Sequence, residues 1–373
     1  MGTIGELIDP AVIVRLRDAL KEVVPILDFT ALTKAERAIA GVRLRGRVDI
    51  VRDALLHDVP AGFPAAESMM LDALLLPEFT GWMIWPTTEF VTARAVQGGS
   101  TADFDAAMSL LAQLTVRLTG EFAVRDLLNA RPQRALAIMR TWTGHENEHV
   151  RRLATEGSRA FLPWAKRVPW LITHPAGTRT IIDSTYRDPA EYVRRSVANH
   201  LNDLSRVDPA LVTEIGRGWE AEPDANTPWV LRHGLRTLIK KADTEALRLL
   251  GYTGSGLRVD RPHLSSSTIT QGGTLGFSAV VSNEGATDAA VAIDYSIGFV
   301  RANGAVDPKT FKLASQRLAP GESVVVTKTH SFRPITTRTY YPGRHFVTVQ
   351  ANGTLSPQAA FTLESGVETP LTT

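Results

Sequence analysis

The chain has 373 residues, enough for two domains that each bury their own core. Its 44% hydrophobic content excludes a disordered chain, and a formal charge of only +2 names no partner. The absence of cysteine excludes a disulfide framework, a thiol nucleophile, and cysteine-held zinc or iron–sulfur clusters.

The start, Met1 to Glu6, lacks the basic and then apolar pattern of a secretion signal. No uncharged apolar run reaches the ~18 residues of a membrane span, so a cytoplasmic protein is expected. Residues 1–262 hold 28 Arg against 5 Lys, together with 32 Asp and Glu. Arginine grips phosphate with a planar fork and stays charged when half-buried, so the bias leans toward an anionic polymer. A GC-rich genome produces the same bias.

Up to Tyr252 the apolar spacing is helical. Helices are expected at 121–129, Pro132–Trp142, 178–186 and 209–219, with further helices between them. A repeat is visible. Val150-Arg-Arg152, Val193-Arg-Arg195 and Val230-Leu-Arg232 lie 43 and 37 residues apart, close to the ~40–47-residue period of HEAT-type helix pairs. Each opens an amphipathic second helix, with Val150, Leu153, Gly157 and Ala160 on the apolar face of the first. Gly251-Tyr-Thr-Gly-Ser-Gly256 breaks the helical period, and Arg258 to His263 reads as an extended linker. Strands are then expected at 274–282, 290–300, 323–332, 345–351 and 358–363, separated by turns at Asn283-Glu-Gly285, Pro320-Gly321 and Asn352-Gly353. The expected fold is an all-α HEAT-like repeat solenoid over residues 1–262, then an all-β immunoglobulin-like sandwich over residues 263–373.

Stacked second helices would present Arg152, Arg195 and Arg232 as a column. Arg159, Arg236, Lys240 and Lys241 extend it, and the whole suits a curved polyanion such as DNA. The plainer reading is a solvated face of i, i+4 ion pairs, each contributing only ~0.3–0.5 kcal/mol. Glu121, Glu156 and Asp203 interrupt this basic surface, and Trp164 follows in a loop. Acids facing phosphate weaken binding, so they make sense where a cation must be stabilised. Breaking an N-glycosidic bond creates such a cation on the sugar. Plainer roles exist for each: Glu156 pairing with Arg152 and Arg159, Glu121 at a helix start, Asp203 pairing with Arg206. Trp164 could be core, and Trp229 is read as core.

The stretch from about Asp28 to Tyr252 resembles the AlkC family of alkylpurine DNA glycosylases, relatives of the AlkD type in one HEAT-like superfamily. The residues that carry the resemblance are Gly81-Trp-Met-Ile-Trp-Pro86, Gly120-Glu-Phe-Ala-Val-Arg125, His149 to Arg159, Leu162-Pro-Trp164, Tyr192 to Asp203, and Trp229-Val-Leu-Arg232 running on to Gly251-Tyr252. The carboxy-terminal immunoglobulin-like domain is similar to that of one subclass. The resemblance implies a monofunctional hydrolase of base excision repair. Such an enzyme acts as a monomer, without cofactor or metal, on double-stranded DNA carrying 3-methyladenine or 3-methylcytosine, and leaves an abasic site. It implies further that Glu121, Glu156 and Asp203 surround the sugar of the damaged nucleotide and position the attacking water. Trp164 would pack on the deoxyribose or stack on the charged nucleotide.

In the β domain, residues 332–344 carry three arginines, Arg338 among them, and two tyrosines. Contact with DNA and a cover over the sandwich end are the two readings of this segment. Two other classes of function stay open. His145-Glu-Asn-Glu-His149 matches the short zinc-peptidase pattern, without an evident third ligand. A non-catalytic solenoid binding DNA structures or protein partners is the other. Gly251 to Gly256 is no phosphate loop, because no Lys follows and no strand precedes it.

Overall fold

The computed structural model describes residues 7–252, 256–336 and 338–365. Its helices run α1 (Pro10–Val23), α2 (Thr30–Ala38), α3 (Leu44–Asp58), α4 (Phe63–Ala73), α5 (Ile84–Gly98), α6 (Thr101–Leu114), α7 (Val124–Ala130) and α8 (Pro132–Trp142). They continue as α9 (Glu148–Gly157), α10 (Pro169–Thr173), α11 (Arg179–Thr185), α12 (Glu191–Leu204), α13 (Pro209–Ala221), α14 (Thr227–Gly234), α15 (Arg236–Lys240) and α16 (Thr244–Leu249). The starts are written in the sequence. Asp9, Ser100, Asn147, Asp208 and Asp243 each accept a backbone N–H of the first turn, and α1, α4, α8, α10 and α13 open with proline in that turn.

The chain divides into two compact units, Met1–Gly234 and Leu235–Thr373. In the first, α8 with α9, α11 with α12 and α13 with α14 pack as pairs, and the second members α9, α12 and α14 lie side by side. Gly234 permits the last of these approaches, since a Cβ there would sit 2.8 Å from Leu201 Cδ2. Side-by-side stacking has a consequence for the repeat. The stripe carrying Arg152, Glu156 and Arg159 faces the neighbouring second helix rather than open solvent, and Glu156 and Arg159 are buried.

The second unit holds α15, α16 and ten strands: β1 (Leu257–Val259), β2 (His263–Leu264), β3 (Thr268–Thr270), β4 (Thr274–Asn283), β5 (Ala289–Val300), β6 (Val306–Leu318), β7 (Ser323–Ser331), β8 (Gly343–Ala351), β9 (Thr354–Leu355) and β10 (Ala359–Glu364). In one sheet β4 is central, flanked on one edge by β1 and β2 in succession and on the other by β7. The other sheet has the order β3-β10-β8-β5-β6, with β3 parallel to β10. Inward residues such as Phe277, Val281, Ile293, Tyr295, Val347 and Phe361 fill the space between them. This is an immunoglobulin-like arrangement.

Three expectations change. The helical period ends at Leu249, yet the contact boundary falls at 234/235 rather than 262, because α15 packs on β6 and Gln350 Nε2 donates to Lys240 O at 3.3 Å. Strand β6 was absent from the expected set. Its Pro308 and scattered lysines disguise it, and both are tolerated because β6 is a sheet edge with one side unpaired. Residues 121–123 form a turn, so α7 starts only at Val124. Among the described residues no helix is long and apolar enough to cross a membrane.

Candidate active site

The site forms where α9, α12 and the turn before α7 converge. Asn147 caps α9 by accepting His149 N–H at 2.9 Å, which fixes where the helix begins. Arg151 then reaches across to Asp188, 2.6 Å away just before α12, and Asp188 in turn accepts Ala190 N–H at 2.9 Å. The two second helices are thereby locked in register. At the far end of α9, a Cβ on Gly157 would lie 2.7 Å from Val124 Cγ1 and 3.3 Å from Met139 Cε. Only glycine lets α9 close onto α7 and α8, which brings Glu156 beside the turn bearing Glu121.

Three carboxylates and two guanidinium groups make one continuous chain. Arg152 Nη1 donates to Glu121 Oε2 at 2.6 Å, and Arg152 Nη2 lies 3.6 Å from Glu156 Oε1. Arg159 Nη1 donates to the same Glu156 Oε1 at 2.6 Å, while its Nε donates to Asp203 Oδ2 at 2.9 Å. The second Glu156 oxygen accepts the Ser196 hydroxyl at 2.6 Å, itself in contact with Thr155 Oγ1 at 2.6 Å. Thr119 Oγ1 donates to Glu121 Oε2 at 3.0 Å. Side-chain exposure falls from 12% at Glu121 to 7% at Glu156 and 3% at Asp203. Three negative and two positive charges leave a formal excess of one negative charge in a nearly dry place. Such charges are tolerated only when paired and hydrogen-bonded as they are here.

Neighbours stiffen this chain. The Tyr192 ring lies 4.6 Å under the Arg152 guanidinium, and its hydroxyl is pushed above its usual range, first by burial. Burial dominates the shifts of Arg152 and Arg159, yet their carboxylate partners still raise both above the ordinary arginine value. His200 is fully buried on α12. Its Nδ1–H donates to Thr155 O at 2.9 Å and its Nε2 accepts Thr178 Oγ1–H at 2.9 Å, and burial lowers it to about 4.

Beside Glu121 opens a cleft of about 390 Å³, walled by Trp82, Trp85, Phe122 and Trp164 together with Leu7, Leu44 and Leu118. Trp164 is 93% exposed and holds φ +59°, a left-handed backbone that a bulky residue adopts only at a cost of about 1–2 kcal/mol. It is not core. A tryptophan is thus held outward in a strained loop at the rim of an apolar cleft.

Two family models match the chain. One, described as DNA alkylation repair enzyme, covers residues 117–238. The other, the carboxy-terminal Ig-like domain of the uncharacterised protein YhaZ, covers residues 258–365. YhaZ of Bacillus subtilis (strain 168) is 33% identical over 319 residues, 85% of this chain and 87% of that protein. A solved structure of Pseudomonas fluorescens alkylpurine DNA glycosylase AlkC, bound to DNA containing an abasic site analog, superposes with a TM-score of 0.84. It is 30% identical, and the match covers 97% of this chain and 100% of that one. The chain belongs to the AlkC-type DNA alkylation repair family. It is in the subclass with a carboxy-terminal immunoglobulin-like domain.

For this AlkC-type chain the remaining expected residues divide. Asp203 takes Arg159 as its ion-pair partner, whereas the Arg206 guanidinium sits 5.3 Å over the Phe161 ring. Arg152 and Arg159 are consumed in the carboxylate chain. Arg195 is 61% exposed, within 2.5 Å of Glu191, and Arg232 is exposed on α14. Arg236, Lys240 and Lys241 belong to the second unit, at α15 and its cap. Arg338 also lies there, its guanidinium 4.0 Å over the Phe299 ring, in a segment whose Phe332 and Tyr340 are buried. That packing fits a cover over the sandwich end. Trp229, read from sequence as core, is 40% exposed and stacks on His233 at 5.2 Å. The His145–His149 pattern is broken by the Asn147 cap, so the two histidines do not share one helix face. No three His, Asp or Glu side chains group as metal ligands among the described residues.

Sequence reasoning missed Ser196, Tyr192 and Arg125. Arg125 is wholly buried and lowered to about 10, chiefly by burial. It donates to Gly157 O at 3.0 Å, Arg159 O at 2.5 Å and Lys166 O at 2.9 Å, clamping both ends of the loop that carries Trp164. An arginine inside a helical motif among apolar residues was the available signal.

Proposed function

We propose that this chain is a monofunctional DNA glycosylase that hydrolyses the N-glycosidic bond of cationic methylated bases, 3-methyladenine and 3-methylcytosine, and leaves an abasic site. The observation that carries this reading is the chain Glu121–Arg152–Glu156–Arg159–Asp203, with its excess of negative charge beside an exposed tryptophan. A DNA-binding surface has no electrostatic use for such acids unless a cation forms there. The family's helical repeat, and the P. fluorescens relative solved on DNA containing an abasic site analog, support the same reading.

The chemistry follows from charge. A 3-methylated base already carries a positive charge, so it leaves with the electron pair of the C1′–N bond as a neutral molecule and needs no general acid. Positive charge passes to the sugar. Glu121, Glu156 and Asp203 stabilise it, and one of them takes the proton of the water that adds to C1′. Trp164 packs against the deoxyribose. Arg152 and Arg159 hold the carboxylates ionised and oriented. Arg195, Arg232, Arg236, Lys240, Lys241 and Arg338 engage phosphates of double-stranded DNA. The enzyme works as a monomer in the cytoplasm.

Purified protein incubated with methylated duplex DNA, followed by chromatography of the released bases, tests this directly. Glu156→Gln and Asp203→Asn should each cost excision about 10²–10³-fold, the size of a lost transition-state charge interaction, with DNA affinity kept or raised. Absence of released base from the parent protein sinks the reading. Full excision by both variants removes these residues from it.

A further inference from the structure

Trp164 holds a left-handed backbone that its own contacts do not explain. Its side chain is 93% exposed, and among the described residues it has no hydrogen bond and no ring contact. A strained backbone persists only where the surrounding structure over-determines it. Here the surroundings converge on one side chain. Arg125, wholly buried on α7, donates from Nη1 to Gly157 O at 3.0 Å and to Arg159 O at 2.5 Å, where α9 ends and the loop begins. From Nε it donates to Lys166 O at 2.9 Å, where the loop returns. Two more residues of α7 hold the return limb: Asp126 binds the Lys166 ammonium at 2.8 Å, and Asn129 Nδ2 donates to Arg167 O at 3.1 Å. Among the described residues no carboxylate bonds to Arg125, and its Nη2 is buried without a partner. The carbonyls that end α9, with the negative end of its dipole, stand in for an acid. An apolar residue would avoid the cost of this burial, and a lysine would lack the planar fork that donates in fixed, divergent directions.

We propose that Arg125 is a positioning residue for the excision reaction: buried away from any substrate, it pins both ends of the loop and so fixes where Trp164 stands against the damaged nucleotide. The inference rests on the glycosylase reading. The acids are held by other means, since Arg159 binds Glu156 at 2.6 Å and Asp203 at 2.9 Å through its own side chain. Loss of Arg125 therefore acts through Trp164 and leaves the carboxylate chain in place.

The test is a double-substitution cycle in the full chain, read as single-turnover release of base from methylated duplex DNA. Arg125→Lys keeps the charge without the fork, and Arg125→Gln keeps a planar donor without the charge, so one variant stands in if the other does not fold. Each should slow release by about 10²-fold, the scale of a contact misplaced by about 1 Å. In a Trp164→Gly background either should slow release by no more than about twofold further, the scatter of such cycles, because the ring through which Arg125 acts is already gone. Amide hydrogen exchange across residues 158–167, measured well below each melting point, should be faster in both Arg125 variants than in the parent, with exchange in α12 unchanged. A merely structural Arg125 gives losses that multiply with that of Trp164→Gly, and that result overturns the proposal. Release at the parent rate, or loop exchange at the parent rate, overturns it as well. The two readings fail separately. Multiplied losses in an active parent sink the positioning role alone, whereas faster loop exchange in the variants of a parent that releases no base sinks the glycosylase reading and leaves Arg125 as a clamp on the loop.

Discussion

Replacing Arg159 by methionine isolates what the carboxylate chain costs and contributes. Arg159 is 7% exposed and bridges Glu156 at 2.6 Å and Asp203 at 2.9 Å, so water screens neither pair strongly. Methionine fills much of the same volume without charge, leaving two nearly dry carboxylates facing each other. Removing one partner of a buried pair costs about 3–5 kcal/mol, most of it the burden of the charge left behind. Glu156 still has the Ser196 hydroxyl at 2.6 Å and Arg152 at 3.6 Å, which puts the expected loss near the lower end, about 3 kcal/mol. A unit of this size shifts by about 2–4 °C per kcal/mol, so calorimetry at neutral pH should show its transition falling by about 6–12 °C. Combining Arg159→Met with Asp203→Asn should restore at least about 1 kcal/mol, because the stranded charge is gone. Arg159→Met melting within about 1 °C of the parent would falsify the claim that the chain is an energetically coupled network. A double variant no more stable than Arg159→Met would place the loss in packing instead.

Three further outcomes follow from the same geometry. His200 is lowered from 6.5 to about 4, so the unfolded chain takes up a proton through pH 6.5 while the folded chain does not until about pH 4. Stability from this group is therefore whole above pH 6.5 and falls by about 3 kcal/mol between pH 6.5 and 4, and urea titrations of His200→Gln should lack that part of the slope. Ser196→Ala removes the donor to Glu156 Oε2 and should cost about 1–2 kcal/mol in urea unfolding together with a loss of excision; unchanged values in both would leave the hydroxyl without a role. Trp164→Gly relieves a left-handed backbone and deletes an exposed ring, so it should melt at or above the parent temperature while excision falls; a destabilised variant would mean the ring packs more tightly than its 93% exposure allows.

Periodicity carried most of the fold. The recurring Val-Arg-Arg and Val-Leu-Arg segments mark α9, α12 and α14, and α8 has the bounds that its pattern indicates, Pro132–Trp142. Five strands lie within one or two residues of their expected limits, because alternation of buried and exposed residues is a local property. Strand β6 was illegible because an edge strand need not alternate strictly, and its Pro308 reads as a breaker. The boundary between units was equally illegible. Composition reports where helix gives way to strand, but which body α15 and α16 pack against depends on contacts from residues a hundred positions away, such as Gln350 to Lys240.

At the site, residue types were legible and partners were not. Glu121, Glu156 and Asp203 stand out as acids in an arginine-rich stretch, and the structure gathers them. Their bonding was misread in detail, since Arg206 is nearer to Asp203 along the chain than Arg159 is, yet Arg159 makes the pair. Helix stacking decides this. The end of α9 lies against the end of α12, so residues 44 positions apart meet, while Arg206 turns away to the Phe161 ring.

The repeat itself explains why the chemistry sits between α9 and α12 and not farther along the stack. Arg152, Arg195 and Arg232 occupy equivalent positions, so the scaffold offers the same cation three times. Their surroundings differ. Arg195 lies exposed with Glu191 of its own helix, a pairing worth at most a few tenths of a kcal/mol, and Arg232 faces solvent. Only Arg152 meets an acid from outside the repeated helices, Glu121 in the turn that follows α6, and only its helix continues into Glu156 and Arg159. Glu121 therefore enters at the seam between the amino-terminal helices and the first repeat, where a cleft also opens, while Glu156 and Asp203 come from the second helices α9 and α12. Asn199 follows Arg195 by four residues on α12 as Glu156 follows Arg152 on α9, so a site built from departures from the repeat predicts that moving the acid one level down, with Asn199→Glu, adds a charge without adding excision. Measurable excision by Asn199→Glu in a Glu156→Gln background would show that the repeat position alone, and not its seam, makes the site.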